Sequence, residues 1–118
     1  RDPDVAEQFV EGLVGNRKGR VLLGAWSLYY PFRSRGWKYW GPYDLRNRQD
    51  VAQCLDYDLV IRNERAGPHP LDEQLLALGY KRQTLQVPNG NGRKGFVSAN
   101  TPGYGPYIVY THPDWADQ

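Results

Sequence analysis

Few residues in this 118-residue chain stand at spacings that chemistry uses. Gly90-Asn91-Gly92-Arg93-Lys94-Gly95 reads G-x-G-x-x-G, the glycine pattern that lets backbone amides approach a pyrophosphate at a helix N-terminus. Such a site needs a helix directly after it. Asn100, Pro102, Gly103 and Gly105 leave no room for one, so a hairpin turn accounts better for the motif. Asp56-Tyr57-Asp58 has the D-x-D spacing that suits a divalent cation. Cation-binding acids of that kind follow a strand, whereas the apolar run Leu59-Val60-Ile61 comes after these. Asp56 is expected to close a turn and Asp58 to enter the strand.

The remaining reactive side chains form no set. There is no Gly-x-Ser-x-Gly elbow for Ser27, Ser34 or Ser98. His69 lies between Pro68 and Pro70 and His112 beside Pro113, which places both in loops. Glu64 with Asp58, or Asp72 with Glu73, are pairs that any chain with 13 acids offers. The one cysteine, Cys54, excludes an internal disulfide and reads as a small core residue near Val51 and Leu55. With only two histidines beside it, a structural zinc site is not expected. No cofactor, metal or catalytic residue is assigned.

The stronger signal is a stretch dense in rings and cations. Residues 17–48 carry a net charge of +7 and residues 49–79 a net charge of −4, inside a chain whose total is only +2. That near-neutral total argues against a nucleic-acid partner and against an acidic tail. Eight of the sixteen aromatics fall within residues 26–43. Trp and Tyr beside Arg and Lys suit sugar rings, anionic headgroups or single-stranded nucleic acid. On this reading Trp37, Tyr39, Trp40 and Tyr43 stack on sugar or headgroup, while Arg33, Arg35 and Lys38 meet phosphate. The competing account is that the segment folds back as packing.

The elements that must position these groups follow from periodicity and punctuation. Asp2-Pro3 and Gly15 bound an amphipathic helix over residues 3–14, with Val5, Phe9 and Leu13 on one stripe. The continuous apolar run Val21–Trp26 makes residues 20–27 read as a strand covered on both faces, and residues 57–62 read as a second apolar strand. Residues 28–43 read as an irregular aromatic segment, and residues 45–55 as a second helix capped by Asp44. Leu71, Leu75 and Leu78 before Gly79 mark a third helix. Residues 80–87 and Phe96-Val97 form a hairpin about the Asn-Gly turn, and residues 107–111 a last strand. The expected fold is a single α/β domain over residues 1–118. Its mixed, mostly parallel sheet is flanked by about three helices and closed by a hairpin.

The runs Gly19-Arg20-Val21-Leu22-Leu23-Gly24, Leu28-Tyr29-Tyr30 and Tyr57-Asp58-Leu59-Val60-Ile61 recur in a recognisable order. Leu76-Ala77-Leu78-Gly79-Tyr80 and Tyr107-Ile108-Val109-Tyr110 complete it. Over residues 5–112 this succession resembles the soluble C-terminal, extracytoplasmic domain of bacterial integral-membrane glycosyltransferases, relatives of the dolichyl-phosphate-mannose–protein mannosyltransferases. The resemblance implies a parent enzyme that moves a hexose from a polyprenyl-phosphate donor. Its catalytic aspartate lies in the membrane part, so no catalytic residue carries over to this chain. An accessory role follows, attached outside the cytoplasm through the parent chain. The expected partners are the parent's transmembrane part and either a glycan acceptor or anionic lipid headgroups.

The first residue is Arg1, and no apolar stretch is long enough to span a bilayer, which fits a piece of such a parent. The rival readings are a free-standing carbohydrate-binding module and a small nucleotide-binding enzyme using Gly90–Gly95. A single-strand nucleic-acid binder is a third, and it predicts steep salt dependence.

Overall fold

The computed structural model describes residues 3–24, 26–40, 57–63, 67–86 and 106–115. Helix α1 spans Pro3–Val14 and is followed by strand β1, Arg20–Gly24. A single 3-10 turn, Trp26–Leu28, leads into helix α2, Tyr29–Ser34, and strand β2, Lys38–Trp40. Strand β3 covers Leu59–Asn63, helix α3 Leu71–Ala77, strand β4 Lys81–Leu85 and strand β5 Tyr107–Thr111. The strands form one sheet in the order β2-β1-β3-β5-β4. β1 is parallel to both β2 and β3, and β5 is antiparallel to β3 and β4. The expected mixed α/β sheet is therefore present. The helix expected at 45–55 and the return strand at Phe96-Val97 lie outside the described residues.

The unbroken apolar run of β1 has the two-sided cover it calls for, and β3 shares it. Alternate residues of a strand face opposite ways. Val21, Leu23, Leu59, Ile61, Tyr107 and Val109 point to face one, under α1 and α2. Leu22, Val60, Ile108 and Tyr110 point to face two, under Leu71 and Leu75 of α3. Face one is closed by rings. Trp37 meets Phe32 at 5.1 Å and Trp115 at 5.4 Å, both edge-on, and Phe9 lies 5.1 Å from Tyr107.

Face two contains a charge. Arg62 is only 6% exposed and grips Asp72 with two bonds, Nε to Oδ1 at 3.0 Å and Nη2 to Oδ2 at 2.7 Å. Its Nη1 donates to the Gly67 carbonyl at 2.7 Å. Asp72 Oδ2 also accepts the His69 amide at 3.0 Å, and His69 Nδ1 accepts the Leu71 amide at 3.0 Å. The Leu71 amide at the start of this short helix is thereby satisfied.

Residues 28–43, read from sequence as irregular, instead hold α2 and β2. Pro31 is the third residue of α2, where no helical N–H is required of it. Gly36 takes φ +79° and lets the Trp37 amide reach back to the Phe32 carbonyl at 3.1 Å, closing the helix. The proline and the glycine are thus a start and a stop for one helix. That helix supplies the crossover that parallel β1 and β2 need.

Candidate functional site

Of the seven residues assigned from sequence to one binding surface, the five whose side chains are described (Arg33, Arg35, Trp37, Lys38 and Tyr39) do not gather on one surface. Trp37 is turned inward at 3% exposure, and its Nε1–H donates to the Arg17 carbonyl at 2.9 Å. Its ring is core packing, which corrects the stacking role expected for it. Arg35 is held by Glu7 at 2.5 Å and Glu11 at 2.6 Å, as a clasp between α2 and α1. Lys38 is in register with Arg20, and Tyr39 with Val21, so the two point to opposite faces of the sheet. The backbone of Trp40 pairs with Leu22. Tyr43 lies outside the described residues.

Arg33 and Tyr39 do come together, and they bring two residues that sequence reasoning had not assigned. Tyr39 Oη donates to Tyr29 Oη at 2.8 Å, with the rings edge-on at 4.8 Å. Tyr30 stands edge-on to Tyr29 at 4.9 Å and is 70% exposed. Arg33 Nη1 donates to Tyr29 Oη at 3.3 Å across one helical turn. The bond from Tyr39 lowers the Tyr29 phenol pKa against the opposing effect of burial, and the charge of Arg33 lowers it further. The same bond raises that of Tyr39. Had α2 been recognised, the i,i+4 spacing of Tyr29 and Arg33 would have flagged the pair. The result is a projecting ring beside a guanidinium, suited to the apolar face of a sugar and to an anionic oxygen.

The other motif residues serve the fold. Asp58 Oδ2 accepts the Arg20 amide at 3.0 Å, while its own backbone bonds the Arg20 carbonyl and the His112 amide, each at 2.9 Å. A Cβ at Gly19 would fall inside contact distance of Asp58 Oδ2 and 3.2 Å from the Trp37 ring, so that position admits only glycine without rearrangement. His112 Nδ1 accepts the Asp114 amide at 3.0 Å. Asp56, Cys54, Glu64 and Gly90–Gly95 lie outside the described residues.

The chain runs from β1 to β2 on one side and returns to β3 on the other. Order reversals of this kind are where α/β sheets hold ligands, outside the strands' carboxyl ends. There the hydroxyls of Ser27 and Tyr107 bond to each other. Among the described residues, no three of His, Cys, Asp or Glu gather as a metal site, and no helix is long and apolar enough to cross a membrane. Comparison with known proteins returns no match: no family model fits the sequence, and no curated protein or solved structure aligns with it significantly.

Proposed function

We propose that this domain is an accessory, extracytoplasmic unit of a membrane-bound glycosyltransferase that moves a hexose from a polyprenyl-phosphate donor. Its surface of Tyr29, Tyr30, Arg33 and Tyr39 receives a sugar that carries or adjoins a phosphate. The ordered residue runs support the first part, together with the α/β sheet they build. The second part rests on one observation: the Tyr30 ring projects 70% exposed beside Tyr29, with Arg33 bonded to that same tyrosine. A ring face offers C–H stacking and the guanidinium offers paired donors to a phosphate oxygen.

The test is an NMR titration of the isotope-labelled chain with water-soluble short-chain prenyl-phosphate hexoses, neutral oligosaccharides and anionic phospholipid vesicles. The expected result is a shift of Tyr30 and Arg33 resonances by the phosphorylated sugar, weakened about tenfold in Tyr30→Ala and in Arg33→Ala. Silence at these residues with all three probes overturns the surface's role. A response to vesicles alone replaces the sugar-phosphate reading with a membrane-contact one.

A further inference from the structure

At the opposite side of the sheet from β2, a groove of about 570 Å³ runs between α1 and the outer strand β4. Its size is within the range of small-molecule sites. We infer that this groove is a second binding site, for a neutral saccharide. The inference stands apart from the tyrosine surface and does not depend on it.

Three carboxamides line the groove: Gln8 from α1, Gln83 on β4 and Gln86 just after it. A carboxamide both donates and accepts, as a sugar hydroxyl does, so amides match polyols without selecting a charge. Leu13 and Leu85 add apolar wall for the C–H face of a pyranose. Among the described residues, no carboxylate lines the groove, and Arg17 is its one charged residue. That guanidinium stands over the Trp115 ring, 3.2 Å from its centroid, and Nη2 donates to the Trp115 carbonyl at 2.6 Å. The end wall is therefore rigid before any ligand arrives, which lowers the ordering cost of binding.

Gly12 gives a position from which the groove can be filled. It sits in the last turn of α1, and glycine within a helix is unfavourable relative to alanine. It lines the groove, and a Cβ built there would meet nothing within 4 Å. Packing in the described structure does not require the glycine, so a large side chain placed there would extend into open groove space.

The experiment titrates the labelled chain with maltose, cellobiose and N,N′-diacetylchitobiose, reading the side-chain amides of Gln83 and Gln86 and the Trp115 indole N–H. At least one disaccharide is expected to shift all three. Gly12→Leu is expected to fold with an unchanged or higher Tm and to weaken binding about tenfold or more by filling the groove. Gln83→Ala, at an exposed position on β4, is expected to weaken it about fivefold, and it carries the test should Gly12→Leu fail to fold. Tyr30→Ala should leave this binding unchanged. No shift with any disaccharide at tens of millimolar overturns the inference. So does undiminished binding in both groove variants, and so does a neutral decapeptide that shifts these amides while the sugars do not.

Discussion

The two faces of one sheet are closed by different means. Face one is sealed by interlocking rings from α1, α2 and the turn holding Trp115, and its free energy comes from apolar burial and dispersion. Face two receives α3, a helix of only seven residues, and Leu71 and Leu75 alone fix its position weakly. The Arg62–Asp72 pair locks it in place. A buried ion pair spends most of its Coulomb gain on desolvation, so its worth lies in geometry more than in net stability. The core of one face thus rests on rings and aliphatic side chains alone, and the core of the other adds an ion pair that is sensitive to acid.

The sharpest way to break this contrast is to hollow out each face in turn. Phe32→Ala should cost about 4 kcal/mol, read as a lower urea midpoint at unchanged slope. A loss below about 1 kcal/mol would show that the ring cluster is not the main support. Asp72→Ala should cost about 3 kcal/mol because it strands a buried guanidinium. The double change Arg62→Met with Asp72→Leu should recover most of that loss, which would separate the pair's positioning role from net stabilisation.

Acid provides a third test. Burial pushes the Asp72 carboxyl up, but the Arg62 bonds, the His69 amide and the nearby Tyr110 hydroxyl outweigh it and hold its pKa below the ordinary carboxylate range. The folded state therefore binds this proton more weakly than the unfolded chain does. The contribution is complete at neutral pH, begins to fall near the unfolded value of about 3.9, and is lost below the lower folded value. Measured against Asp72→Ala, the unmodified chain's stability advantage should narrow in that window and not between pH 6 and 8.

Two smaller effects sharpen the comparison. Gly19→Ala should cost about 1–2 kcal/mol by displacing the Asp58 carboxylate from the Arg20 amide. On face two, burial first, then Asp72 beside it, push the Tyr110 phenol pKa up. Tyr110→Phe should change stability by less than about 1 kcal/mol.

What the sequence reveals follows the range of the interactions. The bounds of α1 and of β5 are legible because local punctuation and periodicity set them. The continuous apolar run of β1 announces cover on both faces. The segment around α2 is misread because Pro31 and Gly36 each have a loop meaning and a helix-end meaning, and only the packing of Phe32 and Trp37 selects between them. The binding surface is misjudged for a related reason. Sequence proximity groups Trp37, Lys38 and Tyr39, whereas a strand's two-residue period separates the last two and the core takes the first. The Arg62–Asp72 lock joins two elements that no local pattern links.

The position of β5 has a consequence for how the molecule assembles. It is the last strand in the order of synthesis, yet it lies between β3 and β4. Until Tyr107–Thr111 has emerged from the ribosome, β4 has no neighbour among the described strands and the β3 edge stands open to a stray chain. A nascent chain halted before residue 107 should therefore be prone to aggregation, and completion of the sheet has to await residues 107–111.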